Sequence, residues 1–157
     1  MSRLLRRVLG PRRFLAWILR LYPPYLGAGI RVRRVAPDLA SFEVDMPLRF
    51  YNRNYFGTHF GGSLYAMCDP FFALILVERL GKAYVVWDRS ASIRFRRPGR
   101  GTVRAVFTID DETVAAIRQR ADEKGRTLEA FTVDVVDGDG KVVAQVEKVV
   151  HVRRKDG

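Results

Sequence analysis

The pattern of hydrophobic and polar positions along the chain predicts three pairs of short strands. In each pair apolar side chains alternate with polar ones, which is the period of a strand with one buried face. Turn sequences separate the members of a pair, at Pro37-Asp38, at residues 97–101 and at residues 137–140. Closely spaced strands pair antiparallel, so an antiparallel sheet is expected. The predicted strands span residues 30–35, 39–46, 83–95, 102–109, 127–136 and 141–152.

Two helices are predicted between the strand pairs. Residues 63–80 are apolar on every face until Glu78, and a helix that is apolar all round is a buried one. Gly81 supplies its C-terminal stop. Residues 111–124 have acidic residues in the first turn and Gly125 after the last, which predicts a surface helix. The element order favours an α+β domain in which one curved antiparallel sheet wraps around a long central apolar helix.

Before the first strand, residues 1–26 form a basic segment with helical periodicity. Gly10-Pro11 interrupts the apolar stripe, so two short amphipathic helices are predicted, ended by Pro23-Pro24. Such helices either pack on the domain or lie on a membrane surface. The apolar stripes are Leu4, Leu5, Val8 and Leu9, followed by Phe14, Leu15, Trp17, Ile18, Leu19 and Leu21.

The net charge of +11 belongs almost entirely to the N-terminal part of the chain. No acidic residue precedes Asp38, whereas the remainder carries 19 basic and 17 acidic residues. The excess is either a solvated face or an attraction to an anion. A weak contact of residues 1–21 with a membrane surface therefore stays open, and no nucleic-acid partner is expected. The nine arginines before Asp38 are Arg3, Arg6, Arg7, Arg12, Arg13, Arg20, Arg31, Arg33 and Arg34.

Composition and length exclude several classes of protein. Cys68 is the only cysteine and there are two histidines, so neither an internal disulfide nor a zinc site is expected. The uncharged stretch between Arg13 and Arg20 is too short for a secretory signal, and no run approaches the roughly 20 apolar residues of a membrane span. We therefore expect one cytoplasmic domain over residues 1–157, without metal or cofactor.

Two features of the central segment are chemically notable. Gly61-Gly62 lies where the buried helix begins, and a helix N-terminus offers free N–H groups; a plain tight turn is the alternative. Asp69 lies in an apolar stretch, where an unpaired carboxylate is costly. Burial would raise its pKa, which suits a general base. Alternatively, Asp69 caps a helix that starts at Pro70.

Residues 52–70, NRNYFGTHFGGSLYAMCDP, resemble the signature of hotdog acyl-CoA thioesterases of the phenylacetate-pathway type. Over its whole length the chain is more similar to a hotdog branch known as tetrameric acyl-CoA thioesterases, through RNYFGTHFGG, DPFF, YVVWD and IRFRRPGRGTV. One position departs from the pattern, because the characterised thioesterases have His before the glycine pair. Here Phe60 stands there and His59 precedes it. The matching positions are Asn54, Gly57, Gly61, Gly62 and Asp69.

The resemblance implies hydrolysis of a thioester. The Gly62 N–H would stabilise the oxyanion, and Asp69 would activate water or attack directly. Asp88 would hold the water or share a proton with Asp69, unless it forms a salt bridge to Arg89 or another nearby Arg. The other expected catalytic residues are Asn54, which is alternatively a turn residue, and His59. The expected substrate-binding residues are Phe60, Gly61, Arg96, Arg97 and Arg100, of which the arginines alternatively guard an edge strand.

The spacing also predicts a site shared by two subunits. Seven residues of continuous helix span about 10 Å, so Gly62 and Asp69 of one chain cannot act on one carbonyl. A two-fold pair of antiparallel helices would bring them together across an interface. The resemblance therefore implies a homodimer or homotetramer with an acyl-CoA substrate. A non-catalytic acyl-CoA or lipid-binding hotdog protein, and a membrane-surface protein acting through its basic N-terminus, are the alternatives.

Overall fold

One six-stranded antiparallel sheet packs against a central helical segment, in the strand order β1-β2-β4-β5-β6-β3. The computed structural model describes the backbone of residues 2–155 and the side chains of residues 8 and 10–155. The predicted α+β class and hotdog fold are confirmed. In chain order the elements are α1 (Ser2–Leu21), α2 (Pro23–Ala28), β1 (Arg31–Val35), β2 (Ser41–Pro47), α3 (Gly61–Ala66), α4 (Phe71–Leu80), β3 (Tyr84–Phe95), β4 (Thr102–Thr108), α5 (Asp111–Lys124), β5 (Arg126–Val136) and β6 (Val142–Arg154).

Strand pairing differs from the sequence order at β3. Proximity along the chain predicted that residues 83–95 would pair with residues 102–109, and this is wrong. Strand β3 instead pairs with β6 along its length, whereas β4 pairs with β2 and β5. Residues 96–101 therefore connect two strands on different parts of the sheet. As a result, β3 is an edge strand, and its outer side offers backbone groups that a second chain can pair with.

The central apolar segment is two helices rather than the single helix predicted for residues 63–80. Helix α3 ends at Ala66 and α4 begins at Phe71, so residues 67–70 form a break. Pro70 has no N–H and its ring restricts the residue before it, which explains an interruption at this point. Helix α4 fixes the segment against the sheet, since the ring of Phe71 stacks on that of Phe107 with centroids 4.7 Å apart.

The N-terminal helices pack on the domain at the β1 edge. Helix α1 is kinked at Gly10, whose φ of 74° lies in the left-handed region. Leu15 and Leu19 join the core, and Arg12 Nε donates a hydrogen bond to the Val35 carbonyl at 2.8 Å. Pro23-Pro24 follows the end of α1, and the same two prolines begin α2. The earlier residues Arg3, Leu4, Leu5, Arg6, Arg7 and Leu9 lie outside the described side chains.

Within the described residues, every helix is too short or too polar to cross a membrane.

Strand β6 brings a charged side chain into the core. Alternate residues of this strand face the helices, and they are fully buried. Lys148 occupies the middle of this row and is also fully buried. The apolar members of the row are Ala144, Val146, Val150 and Val152.

Candidate functional site

Lys148 joins the two carboxylates predicted to be catalytic. Its Nζ donates to Asp88 Oδ2 at 2.7 Å and to Asp69 Oδ1 at 3.2 Å. It also donates to the Asp69 carbonyl oxygen at 2.7 Å. The Tyr65 hydroxyl donates to Asp69 Oδ1 at 3.0 Å and lies 3.4 Å from Lys148 Nζ. We call Tyr65, Asp69, Asp88 and Lys148 the carboxylate cluster.

Two strands, helix α3 and the break that follows it hold the carboxylate cluster in place. Lys148 projects from the inner face of β6, and Asp88 from the neighbouring strand β3, where it is paired with Val150. Asp69 lies in the break between α3 and α4, so its backbone carbonyl and its carboxylate both reach the ammonium group. Tyr65 lies one helical turn before Asp69. The break in the helix is thus what allows one lysine to bind this residue through two oxygens.

The charges of the cluster favour an ionised lysine. Burial lowers the pKa of Lys148, but the hydrogen bond to Asp88 and the negative charges of Asp69 and Asp88 outweigh burial, so the pKa is raised overall. One ammonium group faces two carboxylates, which leaves one excess negative charge when both are ionised. The side chain of Asp69 is 52% exposed, and the buried Asp88 Oδ1 has no hydrogen-bond partner.

These contacts correct three expectations about the carboxylates. Asp69 does not cap α4, because its Oδ1 accepts hydrogen bonds from Tyr65 and Lys148 instead. It is also not buried, and water reaches about half of the side chain. Asp88 pairs with Lys148 rather than with Arg89.

Beside Asp69 lies an apolar slot between the N-terminal helices and the central segment, with a volume of about 390 Å³. Asp69 is the only charged residue among the described residues that line it. An acyl chain would find mainly aliphatic and aromatic contacts here. The apolar slot is lined by Ile18, Leu19, Tyr22, Pro24, Tyr25, Tyr65, Ala66, Asp69, Pro70 and Leu74.

A second cavity, the arginine cavity, collects most of the other predicted site residues. It has a volume of about 660 Å³, and its cations suit a phosphate-bearing ligand. Within one chain, neither carboxylate of the cluster lines it. The predicted residues that it brings together are Asn54, His59, Gly61, Arg96, Arg97 and Arg100.

His59 and Asn54 hold the wall of the arginine cavity. His59 is 2% exposed, and its Nε2 lies 3.0 Å from the Gly101 carbonyl, so Nε2 carries the proton and Nδ1 is an acceptor without a partner. Burial lowers the pKa of His59, partly offset by this bond. The Asn54 amide bonds its own loop, donating to Thr58 and accepting from Phe56 N–H. This is the turn role considered as its alternative.

The glycine pair begins α3, and an aromatic ring lies close to each of the two glycines. A Cβ added at Gly61 would lie 2.9 Å from Phe95 Cζ, and one added at Gly62 would lie 2.5 Å from Phe60 Cε1. Only glycine therefore fits beneath these rings without their movement. In the first turn of a helix the N–H of Gly62 has no acceptor in a preceding turn. Phe60 and Phe95 are more than half exposed.

Comparison with known proteins gives a family. A family model described as a domain of unknown function, DUF4442, matches residues 10–152. The chain belongs to the DUF4442 family. A comparison with curated proteins finds no match.

Solved structures share the fold of this DUF4442 protein. One is PA5026 from Pseudomonas aeruginosa, a protein of unknown function described as a probable thioesterase, with 22% identity, a TM-score of 0.80, and coverage of 90% of this chain and 95% of that chain. Thioesterase HI1161 from Haemophilus influenzae has 17% identity, a TM-score of 0.68, and coverage of 91% and 90%. A mutant of thioesterase PA1618 from Pseudomonas aeruginosa has 16% identity, a TM-score of 0.66, and coverage of 90% and 93%.

Sequence reasoning missed Lys148, the residue that organises the carboxylate cluster of this DUF4442 protein. A signal for it exists, because Lys148 stands where the apolar alternation of residues 142–152 calls for a buried side chain. A buried lysine must be paired, which would have directed attention to the nearest carboxylates. That Asp88 is a partner follows only from the pairing of β3 with β6, and that Asp69 is a partner follows only from the packing of the helix break on β6.

Proposed function

We propose that this DUF4442 protein is an acyl-CoA thioester hydrolase. The observation that carries the proposal is the half-exposed carboxylate of Asp69, which Lys148 and Tyr65 hold at the edge of the apolar slot. A carboxylate fixed next to an apolar slot can act on the carbonyl carbon that joins an acyl chain to sulfur. The shared fold of structures described as thioesterases supports the same reaction.

Asp69 acts on water in the proposed reaction. Its Oδ1 is used by Tyr65 and Lys148, which leaves Oδ2 to accept a proton from a water molecule. The water oxygen then attacks the thioester carbonyl carbon. Collapse of the tetrahedral intermediate breaks the carbon–sulfur bond, and the proton held by Asp69 passes to the thiolate. Direct attack by the carboxylate would form an acyl anhydride that water cleaves, giving the same products.

The donor for the oxyanion comes from a second subunit in this proposal. The Gly62 N–H belongs to the first turn of α3, whereas Asp69 lies beyond the end of α3 in the helix break, so we propose that the two groups act on one carbonyl across a subunit interface. Edge strand β3 can pair with its copy, and α4 packs against β3. The exposed Phe95 at the end of β3 would be covered by such a partner. A homodimer, or a homotetramer built from it, would complete two sites.

The two cavities suggest how the substrate is divided. The apolar slot would take the acyl group, since its rim carries Asp69. The arginine cavity of the partner subunit would bind the phosphates of CoA through Arg96, Arg97 and Arg100, next to the glycine pair. The thioester then lies between them, where water and the oxyanion donor are required.

Release of free thiol from a panel of acyl-CoA substrates tests the proposal. Asp69→Asn removes the base but keeps the shape, and we expect kcat to fall at least about 100-fold, the usual contribution of a general base. Asp139→Asn is the matched control, since Asp139 is exposed in the β5–β6 turn, and it should keep wild-type activity. Circular dichroism and oligomer size must be unchanged in both variants.

Two results would count against a thioesterase acting through Asp69. Full activity of Asp69→Asn would move the chemistry to another group. No turnover by the wild type on any acyl-CoA, or on an acyl-carrier-protein thioester, would exclude hydrolysis and favour binding.

A non-catalytic acyl-CoA-binding protein is the second candidate, and one observation favours it. The ring of Phe60 lies against Gly62, where a substrate carbonyl would have to approach the backbone. An acyl-CoA bound with micromolar affinity and recovered intact after hours would identify this function. Phe60→Ala, which uncovers Gly62, distinguishes the two candidates, because it should raise turnover only in an enzyme whose oxyanion donor the ring obstructs.

A further inference from the structure

We infer that the outer face of the sheet carries a binding site for a phosphorylated nucleoside, separate from the carboxylate cluster. The site is a cavity of about 670 Å³ at the ends of β3, β5 and β6, a size typical of small-ligand pockets. Trp87 and Asp88 are successive residues of β3, so their side chains lie on opposite faces. Asp88 contacts Lys148 on the helix side, which places Trp87 and this cavity on the other. Its lining residues are Trp87, Arg89, Lys124, Arg126, Thr127, Leu128, His151 and Arg153.

A row of flat and apolar side chains crosses the cavity. His151 on β6 is paired with Trp87 on β3 and with Leu128 on β5. The rings of Trp87 and His151 lie 4.0 Å apart between centroids and are inclined by 31°. Trp87 is 42% exposed and Leu128 57% exposed, so the row presents apolar surface to water. A planar aromatic ligand could stack on such a surface.

Cations surround this row. Arg126 and Arg153 are directly opposite each other on β5 and β6, and like charges in this position destabilise a sheet. A bulge at Arg89 interrupts the β3–β6 register, and bulges often re-aim side chains near functional sites. Lys124 adds a fourth positive charge from the end of α5. Among the residues that the structure describes, the cavity lining includes no carboxylate.

His151 lies close to this group of cations. The residue is only 9% exposed, and its Nδ1 has no hydrogen-bond partner within the described part of the chain. Burial lowers the pKa of His151, and the charges of Arg126, Arg153 and Arg89 lower it further. These three guanidinium groups therefore act on the space around one ring, which favours the binding of an anion there.

A surface that can stack with an aromatic ring and is bordered by cations favours a ligand that carries both a planar ring and negative charge. Phosphate groups accept charge-assisted hydrogen bonds from guanidinium groups, and a nucleobase supplies the planar ring. The cavity thus fits a nucleoside diphosphate or a related phosphorylated nucleoside. Such a group occurs both in free nucleotides and at the nucleotide end of CoA, and the experiment must distinguish these sources.

The test measures ADP binding by quenching of Trp87 fluorescence, in a Trp17→Phe background that leaves one tryptophan. We expect saturable quenching, with weaker binding of adenosine and of pyrophosphate alone. Arg126→Gln combined with Arg153→Gln should weaken ADP binding at least about tenfold, which is the effect of losing ~1.4 kcal/mol. Arg13→Gln combined with Arg20→Gln removes the same charge from α1 and should change the affinity less than about twofold.

Thermal unfolding provides a readout that does not depend on fluorescence. ADP should raise the Tm of the wild type, because a ligand that binds the folded state stabilises it. The Arg126/Arg153 double variant should be folded without ADP, but ADP should leave its Tm unchanged.

Comparing the KM for acyl-CoA between the wild type and the double variant identifies the source of the nucleoside. A raised KM for acyl-CoA in the double variant would assign the site to the nucleotide end of that substrate, whereas an unchanged KM with lost ADP binding would assign it to a free nucleotide. No ADP binding at millimolar concentration, or ADP binding that the double variant retains, would overturn the inference. Pyrophosphate binding as tightly as ADP would also overturn it, because the aromatic row would then play no part.

Discussion

The ammonium group of Lys148 lies 2.7 Å from Asp88 Oδ2 inside the sheet–helix interface, and the same group binds both the carbonyl and the carboxylate of Asp69. A fully buried lysine on β6 thus links the edge strand β3 to the break in the central helix. The link fixes the position of the proposed base, Asp69. The net charge of this cluster depends on Asp69, Asp88 and Lys148 together.

Removing the ammonium group should destabilise the protein. In Lys148→Met the Asp88 carboxylate keeps its charge without a partner, and we expect a loss of about 2–4 kcal/mol in the free energy of unfolding. This is somewhat less than the roughly 3–5 kcal/mol lost when a buried pair is broken, since Asp69 is half exposed to water and Asp88 is partly exposed. Urea denaturation measures it. Lys148→Met combined with Asp88→Asn should recover a large part of the loss, whereas additive effects of the two changes would contradict a coupled pair.

The stabilisation by Lys148 should persist to high pH. Because its pKa in the folded protein is raised, the contribution is fully present below the ordinary lysine pKa of about 10.4 and is lost as the pH rises through the folded-state value. The difference in unfolding free energy between wild type and Lys148→Met should therefore be the same at pH 7 and pH 9 and smaller at pH 11. A difference that already shrinks between pH 7 and pH 9 would mean that the ammonium group is not held in its charged form.

Mixed oligomers should reveal whether one active site uses two subunits. Gly62→Pro removes the proposed oxyanion donor in the first turn of α3, where proline is tolerated once the Phe60 ring turns away from the added Cβ, and Asp69→Asn removes the proposed base. Each variant alone should be inactive. After co-refolding in equal amounts, half of the dimers pair one of each, and one of their two sites is intact, so about a quarter of wild-type activity should return. No recovery, with mixed dimers demonstrated by mass spectrometry, would place both groups in one chain.

The fold could be read from the sequence more completely than the site. Alternation and the apolar run at residues 63–80 predict the sheet and its central helical segment, because these patterns reflect burial of a whole face. The sequence predicts one helix over residues 63–80, or a helix that starts at Pro70 with Asp69 as its cap, because local signals at Asp69-Pro70 do not distinguish these from the break observed at residues 67–70. Lys148 was missed because its partners come from β3 and the helix break, and this pairing is a long-range property that spacing along the chain does not encode.

The apolar slot should set the preferred length of the acyl chain. Within the slot each added methylene contributes about 0.8 kcal/mol when buried, so kcat/KM should rise about fourfold per methylene until the slot is full. Ala66→Leu shortens the slot and should move the optimum to shorter acyl-CoA substrates, whereas Leu74→Ala should move it to longer ones. Ala115→Leu makes the same exchange at an exposed position of α5 and should leave the optimum in place. If the optimum stays unchanged in both slot variants while total activity varies, the acyl chain binds elsewhere, and the slot between the N-terminal helices and the central segment serves only to pack these elements together.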